Sequence, residues 1–376
     1  MRRLSSAFTL LELLVAMTVL ILLAVVLVGI TTQTAATWKY STARAEQFQE
    51  ARRAYETVTR RLSQATLNTY YDYAYPLDAK GNPDTTQQPT SYIRQSELRF
   101  RSGQMVNLMR GTGRSAYRPT HGVFFQATFG VSDTSSYRIT DNLLNAWGYF
   151  VELGDDSDQV PKFLQGVVPS TMRYRLMEFR QSSETMSLYQ LSPNVADDTW
   201  FSQLVNAPAT TRPVRVMTNN IVALIILPKL TPEDQAARNT RVTAKYQLLS
   251  PVYDYDSKKT SNYTPAPPAS DTSLALEEIN PKNQLPPLVQ VGMVAIDEIS
   301  ARNLARVNHG LPDLGLKTSD LFLQANSLDT GAVTHQQQDG DLSKFEQRLI
   351  AAKVSYRFYM SNVAIRGAKW SRSQTN

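Results

Sequence analysis

The chain has 376 residues, with 39 Lys and Arg against 33 Asp and Glu, a formal net charge of +6, and no cysteine. Without thiols there are no disulfides and no thiolate metal site, so a folded exterior must rely on packing. The charge excess is mild for this length and makes no case for a nucleic-acid partner or an acidic substrate, while 42% apolar residues can furnish a sizeable core.

The chain opens MRRLSSAFTLLELLVAMTVLILLAVVLVGI. Arg2 and Arg3 precede an apolar run over residues 8–30 in which Glu12 carries the only charge. At about 1.5 Å per residue this run can cross a hydrocarbon core of roughly 30 Å. The positive flank predicts a single pass through the cytoplasmic (inner) membrane, with the N-terminus cytoplasmic and everything after Ile30 outside. The alternative is a removable secretory signal ending near Ala35 or Ala36, but such a signal has a shorter apolar region with small residues behind it. Here Ser5, Ser6 and Ala7 stand in front. Glu12 is expensive for such a segment, about 2.5 to 3.5 kcal/mol at the bilayer centre and less near its edge, and intramembrane acids are usually paired or functional.

No proline occurs before Pro76, and Gly29 is the only glycine before Gly81, which predicts that the helix continues as an amphipathic extension over residues 31–75. Trp38, Lys39 and Tyr40 are placed to anchor at the outer interface. Phe48, Ala51, Tyr55, Val58, Leu62 and Ala65 recur at spacings of three and four, the stripe of a helix with one face on a core. Arg52, Arg53, Glu56, Arg60 and Arg61 read as its solvated face, with i,i+4 pairs at Arg52/Glu56 and Glu56/Arg60.

Residues 76–376 are expected to form a strand-rich extracytoplasmic head. Strands are predicted at 97–101, 122–129, 147–153, 172–179, 214–217, 221–227, 243–248, 288–299 and 354–365, where Val, Ile, Phe and Tyr concentrate. Short helices are predicted at 300–307 and 342–353. Long loops fall near 76–91, 253–287 and 326–341, rich in Pro, Asp, Ser, Thr, Asn or Gln. The fold class is α+β: a long N-terminal helix packed on a large antiparallel-sheet head.

Motifs that would carry chemistry are weak. His121, His309 and His335 are scattered and read as surface or loop histidines, not zinc ligands. Residues 111–116 match G-x-G-x-x-A, but Pro119 leaves little room for the required helix. Residues 310–318 approach a P-loop, yet Leu316 separates Gly315 from Lys317. No catalytic residue and no small-molecule substrate are expected. Calcium is the one cofactor left open, through Asp155, Asp156 and Asp158 or the smaller pair Asp339 and Asp341, although neither has the EF-hand order.

The run Ala7-Phe8-Thr9-Leu10-Leu11-Glu12 resembles the class III leader of type IV pilins and type II secretion pseudopilins. That resemblance implies a pilin-like fold, cleavage by a prepilin peptidase after Ala7, methylation of the new N-terminus at Phe8, and a role for Glu12 in assembly against the Phe8 amine of a neighbouring pilin-like subunit. Ala7 departs from the commoner glycine. The runs at 145–152, 174–181, 220–230, 284–298 and 356–370 resemble the pilin-like proteins called Verru_Chthon cassette protein C, a family without an established activity. Residues 285–287 and Trp370 are more weakly similar to J-type minor pseudopilins, and Glu12 argues against the K-type. The implied function is a structural minor pilin or pseudopilin at or near the tip of a short type II secretion or type IV pilus-like fibre. The alternative is a pilin-anchored surface module binding DNA, polysaccharide or export cargo.

Overall fold

A computed structural model of the chain describes residues 9–109, 118–137, 142–157, 160–164, 166–190, 198–240, 247–260, 281–307, 314, 316, 321–328 and 340–369. The chain divides into two compact units, residues 1–49 and 50–376.

The first unit holds most of a single helix, α1 (Leu10–Leu62). From Leu10 to Ile30 every residue is exposed, and this is the one helix among the described residues long and apolar enough to cross a membrane. Three of its threonines turn their hydroxyls back onto the helix: Thr18 donates to the Val15 carbonyl at 2.8 Å, Thr31 to Leu27 at 2.9 Å and Thr32 to Val28 at 2.9 Å. Those hydroxyl protons are therefore satisfied within the helix itself.

In the second unit α1 ends at Leu62, short of the residue 75 expected from the missing proline and glycine. The last turn tightens through i to i+3 bonds, Gln64 N to Arg61 O at 3.0 Å and Ala65 N to Leu62 O at 3.1 Å. The Thr66 amide then donates to the Gln126 carbonyl at 2.9 Å, and Asn68 takes φ +46°. Tertiary pairing and a left-handed asparagine end the helix, and the chain turns into strand.

The strands follow as β1 (Tyr70–Ala74), β2 (Ser91–Gln95), β3 (Arg101–Gln104), β4 (His121–Thr128), β5 (Leu144–Asp155), β6 (Met172–Gln181), β7 (Val214–Asn219), β8 (Ile221–Lys229), β9 (Tyr255–Asp256), β10 (Leu288–Ile296) and β11 (Tyr356–Ala364). Short helices α2 (Met105–Leu108), α3 (Thr199–Val205) and α4 (Pro232–Asn239) intervene, with α5 (Glu298–Val307) and α6 (Asp341–Ala351) later. All pairings are antiparallel. A six-stranded sheet runs β7-β6-β5-β4-β3-β9, a three-stranded sheet β11-β10-β8, and β1 with β2 makes a separate hairpin. The described architecture is α+β.

Several elements differ from expectation. The hairpin β1 and β2 occupies residues assigned to helix and to the edge of a loop. Of the strand expected at 97–101, only Arg101 is in β3, and 243–248 lies mostly outside the described residues. β10 stops at Ile296 because Asp297 accepts from the Ser300 amide at 2.9 Å and so opens α5.

The core of the six-stranded sheet is aromatic. Phe124 on β4 stacks on Phe201 of α3 at 3.9 Å between centroids, with Phe150, Phe179 and Trp200 around it. Gly148 on β5 makes room for this: a Cβ there would lie 2.8 Å from Phe124 Cε1 and 2.9 Å from the Val123 carbonyl. The C-terminal turns of α1 lie on this unit through the expected stripe, with Ala51, Tyr55, Val58 and Leu62 buried. Tyr55 Oη donates to the Val291 carbonyl at 3.0 Å, and its ring stacks on Tyr359.

Candidate functional site

The N-terminal turn of α1 carries the sharpest constellation. Thr9 precedes the first helical residue, and its Oγ1 accepts from the Glu12 amide at 3.3 Å while Glu12 Oε2 accepts from the Thr9 amide at 3.0 Å. The Thr9 hydroxyl also lies 2.9 Å from Glu12 Oε2. This is a reciprocal capping box, which satisfies two backbone donors that a helix start leaves free. An acid in the first turn also meets the positive end of the helix dipole. The carboxylate is thus partly compensated inside its own chain, which lowers the cost of holding it at the margin of an apolar segment. The T-x-x-E spacing before an apolar run is the sequence signal of this box, and Thr9 is the functional residue absent from the expectations above. Ala7 and Phe8 lie outside the described residues.

The candidate calcium ligands among the described residues, Asp155, Asp156 and Asp341, each turn to donors of the protein itself. Asp156 accepts from Arg173 Nε at 2.6 Å and from the Thr171 amide at 2.7 Å. Burial alone would raise its carboxyl, but these donors hold it below the ordinary aspartate value. Asp155 turns to Ser157, and Asp341 accepts from the Phe322 amide at 2.8 Å. Asp158 and Asp339 lie outside the described residues, and among the described ones no three His, Asp or Glu side chains are placed to share a metal ion.

The charged residues inside the second unit form clamps between distant segments. Arg99 Nη2 bonds Asp256 at 2.6 Å and Asp198 at 2.9 Å; Glu152 joins Arg118 at 2.9 Å and Arg212 at 2.8 Å. Arg61, expected on the solvated face of α1, instead reaches buried Glu178 and lies 4.8 Å from the Trp147 ring. Glu178 also accepts from Trp147 Nε1 at 2.9 Å, lies 3.1 Å from Tyr149 Oη, and pairs with Arg215. Such pairs fix register and orientation more than they add net stability.

His121 is a second correction: it is fully buried, not a surface or loop residue. The Ile226 amide donates to its Nδ1 at 3.1 Å, and its Nε2 lies 3.0 Å from the Phe322 carbonyl, so the fitting form is neutral with the proton on Nε2. Burial pushes its pKa down to about 4. His309 and His335 lie outside the described residues.

No family model, no curated protein and no solved structure matches this chain.

Proposed function

We propose that the protein is a structural, pilin-like subunit: anchored in the cytoplasmic membrane by the first half of α1, cut between Ala7 and Phe8 by a prepilin peptidase, methylated on Phe8, and assembled with other pilin-like subunits into a short fibre of the type II secretion or type IV pilus kind. The observation that carries this reading is the Ala7-Phe8-Thr9-Leu10-Leu11-Glu12 run opening directly into an exposed apolar helix. The strand-rich unit of residues 50–376 is then the extracytoplasmic head, whose bulk favours a tip or low-copy position over a repeating shaft.

The capping box fits this reading. A cut after Ala7 leaves both Thr9 and Glu12 in the mature chain, so the box survives processing. Glu12 would then serve twice, closing the helix start in the lone subunit and meeting the Phe8 amine of a neighbour in the fibre. That exchange trades one compensated carboxylate for another, which suits a device that sets register and adds little net stability.

Mass spectrometry of the N-terminus of the native protein tests the proposal. A mature chain starting at Phe8 with one added methyl group is expected. An intact Met1, or a start beyond Ala36, overturns it.

A further inference from the structure

The two edges of the three-stranded sheet are treated differently. On the β8 side, the Leu224 amide donates to Thr120 Oγ1 at 3.1 Å and the Ile226 amide to His121 Nδ1 at 3.1 Å, so side chains close that edge. On the β11 side nothing comparable occurs among the described residues. Strand β11 pairs with β10 over nine residues without a register shift. The flanking bonds fix which backbone groups face inward: the Asp297 amide donates to the Ser355 carbonyl at 3.1 Å and the Ile365 amide to the Pro287 carbonyl at 3.1 Å. Both pairs belong to the same register as the strand, so the odd-numbered residues of β11 bond β10. The N–H and C=O groups of Tyr356, Phe358, Met360, Asn362 and Ala364 therefore point outward, and no hydrogen bond of theirs to another described residue occurs.

Natural edge strands are usually kept short or broken by proline, lysine or a bulge, because an open row of backbone groups is a template for another strand. β11 reads YRFYMSNVA: it has no proline, no lysine and no bulge against β10, and Arg357, its single charge, belongs to the inward-bonded row. The edges of the six-stranded sheet are guarded. β9 has two residues, and β7 has six and shifts register against β6 between Leu176 and Met177.

We propose that the outer edge of β11 is a β-augmentation site, which takes an extended peptide segment of a partner chain as an added strand. The free backbone row specifies an extended backbone as the occupant. The side chains specify its pattern: Tyr356, Phe358 and Met360 lie in one row, with the rings of Tyr356 and Phe358 5.4 Å apart, and Arg357, Tyr359 and Ser361 lie in the other. An extended segment with apolar residues at alternate positions, as in residues 288–296, matches the row of Tyr356, Phe358 and Met360. The site stands independently of leader processing: an intact Met1 would remove the fibre reading and leave this edge unaffected.

The detergent-solubilised full chain is titrated into a fluorescent, lysine-flanked peptide bearing residues 288–296, the strand that already pairs with β11 on its inner side. Saturable binding is expected. Methylating alternate peptide amides on the pairing edge should weaken it by about tenfold or more, as expected for losing one to two hydrogen bonds. Met360→Pro should do the same, because proline is tolerated where the N–H faces solvent, and hydrogen exchange should show the amides of Arg357, Tyr359 and Ser361 still protected. If that variant loses this protection, the methylated peptide on the unaltered chain decides. Absent or equal binding of the two peptides, or slow exchange at Phe358, Met360 and Asn362 in the free chain, overturns the proposal.

Discussion

The Ile226 amide donates to Nδ1 of His121 at 3.1 Å, joining β8 of one sheet to β4 of the other through a ring that has no access to water. The bond requires an unprotonated Nδ1. Protonation would set two donors against each other in a site whose other close neighbour is the Tyr253 ring, 4.2 Å away.

Stability should therefore fall with acid in a definite window. An unfolded histidine titrates near 6.5, whereas folded His121 does so near about 4, so the unfolded chain binds the extra proton between these values. The contribution is fully present above about pH 6.5 and is lost as pH falls toward 4, up to about 3 kcal/mol from this one group. Urea unfolding of the solubilised chain followed by tryptophan fluorescence measures it. His121→Gln should flatten the slope between pH 6.5 and 4, and an unchanged slope would show that another group dominates.

Glu12 separates into two roles by its substitutions. Glu12→Gln keeps a side-chain acceptor for the Thr9 amide but removes the charge, whereas Glu12→Ala removes both. If pairing with a neighbour's amine matters, both variants stay membrane-inserted and both drop out of assemblies with other pilin-like subunits, as read by co-purification. Normal assembly of Glu12→Gln would leave the cap as the residue's function.

Glu178→Ala should destabilise the second unit by about 3 kcal/mol, because it strands the Trp147 indole N–H and two guanidinium partners. Thermal unfolding reads this directly. Arg215→Ala should cost far less, since Arg215 is half-exposed and Arg61 remains to neutralise the acid.

Gly148→Ala adds one methyl group against the Val123 carbonyl and the buried Phe124 ring. Overpacking of this kind costs about 2 kcal/mol, and the loss should appear as a lower urea midpoint with an unchanged slope. Phe124→Leu in the same chain should recover part of it, since the ring is the neighbour that can give way.

The parts of this fold that were legible share a physical property: their signal is local. Ala51, Tyr55, Val58 and Leu62 repeat with the helix period and are buried as that period requires. β5, β6 and β8 are dense in residues that fill a pleated, covered surface, and their cores were placed correctly. What stayed hidden depends on partners far away in sequence. Tyr70–Ala74 has no helix breaker and becomes strand only because residues 91–95 pair with it. Arg61 looks solvated beside Arg60, and nothing nearby announces Glu178, 117 residues later. His121 lacks ligand spacing, which ruled against a metal but could not foretell a buried bond to β8. Thr9 is the exception, a local signal left unread. Of the candidate site, the apolar run, its acid and the T-x-x-E spacing of the clamp on that acid all stand in the sequence.

The inward-turned threonines of α1 have a further consequence for selectivity. With the Thr18 hydroxyl turned onto the Val15 carbonyl of its own helix, the apolar run between Glu12 and Ile30 has no unbonded hydroxyl proton to offer another helix. On the fibre reading proposed above, choice among neighbouring helices would then fall to the two ends of the run: to the acid at one end and to surfaces beyond the other.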